Sequence, residues 1–84
     1  MHKITFSKNA DKVLRRMPRN TALIIGKKIK ELAENPYTMA NIKKLTNHPG
    51  FRLRVGDWRV LYTLHEHELL IHIVNINTRG EVYK

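Results

Sequence analysis

The 84-residue sequence contains no cysteine. That removes disulfides and thiolate metal sites, and it fits a reducing compartment. Acidic residues are scarce: 7 Asp plus Glu face 16 Lys plus Arg, for a formal net charge of +9 and a pI near 10.3. A charge this one-sided calls for a polyanionic partner. Nucleic acid leads, an anionic membrane surface follows at a distance, and an acidic protein is compatible with either. No apolar run approaches the roughly 18–20 residues of a membrane span. The opening MHKITFSKN lacks the apolar region of a signal peptide, so a cytoplasmic location is expected. Glycine and proline are few, at 4 and 3. No glycine-rich phosphate loop or nucleophile elbow is present, and neither repeats nor low-complexity tracts interrupt the chain.

What is present is an ordinary globular composition, 42% hydrophobic. The length suits one domain, residues 1–84, burying about 60–65% of its chain surface. His2–Phe6 alternates Ile4 and Phe6 with polar neighbours and reads as a short strand. Ser7 is a fair helix N-cap, and Asp11 suits the positive end of a helix dipole. Ala10, Val13, Leu14 and Met17 then recur at helical spacing until Pro18. A second helix is expected over 19–34, with Ala22, Ile25, Ile29, Leu32 and Ala33 on one stripe and Asn35-Pro36 as its stop. Lys27, Lys28 and Lys30 on its other face read most simply as a solvated surface.

Tyr37–Gly50 has no clear period and is expected to be loop, with one helical turn around 40–45. His48-Pro49-Gly50 is turn chemistry. Three strands follow, near 51–55, 58–64 and 69–76, the first two joined by a tight turn at Gly56-Asp57. The expected class is α+β: an N-terminal strand, a helical hairpin, then antiparallel strands forming a sheet packed on the helices.

Residues two apart on a strand share a face, so Arg52 and Arg54 point the same way. The turn brings Arg59 beside them. Their opposite face is apolar: Phe51, Leu53 and Val55 on one strand, Trp58, Val60 and Tyr62 on the next. Any single arginine is usually scattered surface, but three alternating against an apolar face make a phosphate-binding patch. The guanidinium fork binds phosphate oxygens in pairs and keeps its charge. Parity assigns Trp58 and Tyr62 to the core. Tyr83, after the last strand, is equally a core aromatic or a hydrogen-bonding group at the patch. His65, His67 and His72 suggest a metal, but the first two alternate with Glu66 and Glu68 at a hairpin tip with no third ligand in place. No metal or cofactor is expected, and no carboxylate pair suited to acid–base hydrolysis is evident.

Three stretches carry a family resemblance: KKL at 43–45, FRLRVGDWRVLY at 51–62 and NTRGEVYK at 77–84. Together with the FSKNADKVLRRM segment and the helical hairpin, they resemble the RelE/ParE superfamily of type II toxin–antitoxin toxins nearly end to end. The resemblance implies a compact sheet on a helical hairpin. For the RelE branch it implies a ribosome-dependent endoribonuclease that cleaves mRNA in the A site by 2′-hydroxyl attack on the adjacent phosphate. It maps catalytic roles onto Arg52, Arg54, Arg59, Arg79 and Tyr83, and RNA binding onto Lys43, Lys44, Arg52 and Arg54. It also implies a small, acidic antitoxin as partner. The ParE branch shares the fold but inhibits DNA gyrase; a basic RNA-binding domain without catalysis is the third reading. Arg79 and Tyr83 favour the RelE branch.

Overall fold

The structure, a computed structural model, describes residues 1–78. Strand β1 (Lys3–Phe6) leads into helices α1 (Lys8–Arg16) and α2 (Arg19–Glu34). Strands β2 (Ile42–Lys44), β3 (Phe51–Val55), β4 (Trp58–His65) and β5 (Leu70–Thr78) follow. A single 3-10 turn, Glu66–Glu68, joins the last two.

Each helix starts and stops for a local reason. The Ser7 side chain accepts a hydrogen bond from the Ala10 amide at 3.0 Å, satisfying one otherwise orphaned donor of α1. Asp11 stands in its first turn and Arg15 and Arg16 in its last, both favourable to the helix dipole. Pro18 ends the α1 path and begins α2, where its missing N–H costs nothing. Asn35 closes α2 by donating its backbone N–H to Glu31, and Pro36 prevents continuation.

The sheet order is β1-β5-β4-β3-β2. Strands β2 to β5 pair antiparallel, as the sequence suggests, but β1 pairs parallel with β5, so the sheet is mixed. Both helices supply one side of the core. Ala10 of α1 and Ile25, Ile29 and Leu32 of α2 cluster with Leu53, Val55, Val60, Tyr62, Ile71, Ile73 and Ile76 of the sheet. Each fully buried aliphatic side chain contributes roughly 1.5–3 kcal/mol relative to exposure. No polar or charged residue among those described is buried.

One expectation needs correction. The stretch near 40–45 is not a helical turn: Ile42–Lys44 is a short edge strand on β3. Asn41, at φ +69, redirects the chain into it, and Ile42 packs against the core while its neighbours stay exposed. Three residues carry too little periodicity to show this in sequence. The last strand also departs from simple alternation. Pairing with β4 jumps from Leu61–Asn75 to Tyr62–Ile73, leaving Val74 as a β-bulge. As a result Ile73 and Ile76, three apart, both reach the core, while Val74 is 42% exposed.

Candidate nucleic-acid interface

The helices cover one sheet face, and the cations project from the other. Gly56, at φ +60, occupies the first central position of the two-residue turn between β3 and β4. A side chain disfavours that conformation, and a II′-type turn needs it. This turn fixes the register. Arg54 pairs with Arg59, and Arg52 pairs with Leu61. On the far side of β3, Lys43 pairs with Arg52. Because Leu53 and Val55 are buried, the alternating Arg52 and Arg54 must face away from the helices.

Two transverse rows result. One runs Lys43–Arg52–Leu61–Asn75 across β2, β3, β4 and β5; the other runs Arg54–Arg59–Asn77. None of these positions is acidic. The Arg54 amide donates to the Asn41 carbonyl at 3.0 Å, away from β4. Arg54 and Arg59 therefore face each other at a non-hydrogen-bonded position, where opposed Cα atoms approach to about 4.5 Å and side chains lie closest. Arg54 is exposed, whereas Arg52 and Arg59 are half-buried. The Arg54 Nε donates to the Gly56 carbonyl at 3.3 Å, which holds the guanidinium near the turn.

Beside these rows lies a groove of about 580 Å³. Lys43, Lys44, His48 and Arg52 give it basic walls; Leu45, Pro49, Leu61 and Val74 give apolar surface; Thr46, Thr63 and Asn75 add polar groups. The Leu45 amide donates to the Gly50 carbonyl at 3.0 Å, closing the loop that forms one wall. Gly50 itself presses on the Tyr62 backbone: a Cβ there would lie 2.8 Å from the Tyr62 carbonyl oxygen.

The sequence-predicted residues are thus partly gathered. Lys43, Lys44 and Arg52 share the groove, and Arg54 and Arg59 stand in the next row. Arg79 and Tyr83 lie outside the described residues. Tyr62 is a core residue, 2% exposed and stacked on Phe51 at 5.5 Å. Burial pushes its phenol up to about 12, so it is no proton acceptor near neutral pH. His65 bonds Thr63, and His72 bonds Thr5. Among the described residues no group of His, Asp or Glu is arranged to hold a metal. Sequence reading missed His48, Leu61, Thr63, Val74 and Asn75 as groove residues. The one visible signal was Asn75, a polar residue inside the apolar run Ile73–Ile76.

This helix-backed sheet has known counterparts. The RelE–RelB complex of Pyrococcus horikoshii matches with TM-score 0.82 and 22% identity over 95% of this chain and 97% of that one. The intact Escherichia coli RelBE toxin–antitoxin complex matches with TM-score 0.81 and 19% identity, covering 95% and 99%. The isolated E. coli RelE toxin gives TM-score 0.80 and 23% identity, covering 99% and 92%. At these identities the likeness is one of fold. No curated protein sequence matches significantly. The family model for the ParE toxin of type II toxin–antitoxin systems, parDE, matches residues 4–83. The chain belongs to that family, within the RelE/ParE superfamily of type II toxins.

Proposed function

We propose that this toxin is an endoribonuclease that cleaves mRNA on the ribosome in the cytoplasm, held in check by a cognate antitoxin. The observation that carries the reading is the pair of cationic rows, Lys43–Arg52 and Arg54–Arg59, on the helix-free sheet face beside a groove. Such a surface suits a phosphodiester. The RNA 2′-hydroxyl gives up its proton and attacks the neighbouring phosphorus, forming a 2′,3′-cyclic phosphate. The 5′-oxygen leaves and takes up a proton. Negative charge accumulates on the non-bridging oxygens between these events, and preorganised guanidinium groups stabilise it. Arg59 and Arg54 are assigned that role, Arg52, Lys43 and Lys44 the binding of flanking phosphates, and Arg79 and Tyr83 the completion of the site.

None of the described groups on this face is an evident acid–base pair, so positioning of the RNA supplies much of the rate. Cleavage therefore requires the ribosome. The E. coli and P. horikoshii toxins were crystallised with their antitoxins. By analogy the antitoxin here is a net acidic chain, partly disordered when free, that folds over the basic face.

Inhibition of DNA gyrase is the second reading, favoured by the ParE family match. One comparison separates the two. Purified protein is incubated with ribosome-bound mRNA, with naked mRNA, and with gyrase and relaxed plasmid. Cleavage confined to ribosome-bound mRNA is expected. Loss of supercoiling with intact mRNA favours the gyrase reading, and equal cutting of naked RNA removes the ribosome requirement.

A further inference from the structure

The tip between β4 and β5 holds a residue that the fold alone does not need. Leu69 sits at φ +50 and ψ +48, in the left-handed region, where a Cβ crowds the following carbonyl and glycine or asparagine is the usual choice. Its backbone is held on both sides. The Leu69 N–H donates to the Glu66 carbonyl at 3.2 Å, and the Leu69 carbonyl accepts from the Lys3 amide at 2.8 Å. The side chain gains little from the core, being 56% exposed. An apolar residue that is both strained and in solvent points to a partner that covers it.

Tyr37 joins Leu69 at this corner through Glu66. Its ring is exposed, yet its position is fixed: the hydroxyl donates to the Glu66 carboxylate at 3.3 Å, and the ring meets His2 edge-on at 6.4 Å. The His2 amide in turn donates to the Ala33 carbonyl at the end of α2. The Tyr37–Leu69 corner therefore lies just beyond the last turn of that helix.

The exposed face of α2 starts apolar and basic and ends acidic. Leu23 and Ile24 are 63% and 57% exposed. Lys27 lies one turn on from both, and Glu31 and Glu34 follow on the same side at helical spacing. These three charged residues are exposed as well. Neither Lys27 nor Glu34 has an ion-pair partner among the described residues.

We propose that two copies of this chain form a two-fold dimer by antiparallel pairing of their α2 faces. A register with Lys27 against Glu34 of the second copy also sets Lys30 against Glu31. It brings Leu23 and Ile24 to the Tyr37–Leu69 corner, so that each apolar pair covers the other. The two-fold repeats every contact in reverse. Such an interface uses one surface twice and must be self-complementary, and a helix face basic in its first part and acidic at its end is so only when antiparallel. At physiological salt, charges farther apart than about 8 Å are screened, so the pairs in contact decide the fit despite the net charge. The helices lie on the other side of the sheet from the cationic rows, and the dimer leaves both of those faces open. The interface is small, which makes the dimer weak and concentration-dependent.

Sedimentation velocity of the full chain, without RNA and over a wide concentration range, tests the proposal. A shift from one copy to a plateau at two is expected. Lys27→Glu and Glu34→Lys should each weaken the dimer by about tenfold or more, because each sets two like-charged pairs across the axis. An equimolar mixture of these variants should recover the wild-type dimer, since opposite charges face again, and so should the chain carrying both changes. Leu69→Asn suits the left-handed backbone. It should keep the thermal midpoint at or above the wild type and lose association. A wild type that stays monomeric at every concentration overturns the proposal, as does a mixture of the charge variants that fails to recover. A Leu69→Asn chain that dimerises like the wild type, or melts below it, removes the corner from the contact and overturns the proposal equally.

Discussion

Arg54 and Arg59 stand directly opposite each other on β3 and β4, at a position where the backbone holds their side chains closest. Like charges placed this way cost stability, by up to about 1 kcal/mol for an opposed pair. The pair lies on the helix-free face of the sheet, where the proposed function places the phosphate.

The first prediction follows from that repulsion. Raising KCl from 0.05 to 0.5 M shortens the screening length severalfold and should raise the thermal midpoint of the wild type. In Arg54→Gln the rise should be smaller, because one of the opposed charges is gone. Midpoints followed by circular dichroism across the salt series check this; parallel salt curves would mean that the pair carries no repulsion.

Gly50 and Gly26 provide opposite tests of backbone packing. A Cβ at Gly50 meets the Tyr62 carbonyl oxygen at 2.8 Å, and neither backbone can yield without disturbing the β3–β4 register. Gly50→Ala should lower stability by about 1–3 kcal/mol and distort the groove. Gly26 is exposed within α2, with nothing within 4 Å of a new Cβ. Gly26→Ala should stabilise by about 0.4–1 kcal/mol by restricting the unfolded chain. Urea denaturation of both variants measures the pair of signs.

Tyr62 sets a limit at alkaline pH. Its folded pKa of about 12 lies above the unfolded value near 10. Between these values the native state holds a proton that the unfolded state has lost, so stability falls as pH rises from about 10 to 12. Below pH 10 the group contributes no slope. Tyr62→Phe removes the titrating hydroxyl and keeps the ring on Phe51. The difference between wild-type and variant stability, measured from pH 9 to 12, should narrow steadily in favour of the variant. A constant difference would show that the phenol titrates alike in both states.

The sequence made some of this plain and concealed the rest for physical reasons. Ser7, Pro18 and Asn35-Pro36 bound the helices because caps and proline act locally. Arg52, Arg54 and Arg59 were placed on one face by parity and by one turn, which also needs only neighbouring residues. The parallel pairing of β1 with β5 was invisible, since Ile4 and Ile71 meet only through the whole fold. So was the bulge: apart from His72 and Asn75, LLIHIVNI is apolar on both faces, so there is no alternation for an inserted residue to break. Asn75 and Leu61 join the groove through register set across three strands, which no local pattern encodes. Arg79 and Tyr83 rest on resemblance alone, as they lie outside the described residues.

The Tyr83 assignment separates proton transfer from charge stabilisation. Tyr83→Phe keeps the ring and removes the hydroxyl. If that hydroxyl orients the 2′-hydroxyl or moves its proton, cleavage should fall by about 10²–10⁴ with little change in binding. A wild-type rate in this variant would make Tyr83 structural and return the search for a base to Lys43, Lys44, His72 or Lys84.

The measurement that bears most directly on the cationic face as a cleavage site is the single-turnover rate of Arg59→Ala on mRNA-programmed ribosomes at saturating protein. Saturation isolates chemistry from binding, and the remaining cations still supply affinity. The account predicts a rate lower by about 10²–10³ with an apparent affinity within a few-fold of wild type. A wild-type rate at saturation, or a loss confined to affinity, would contradict it.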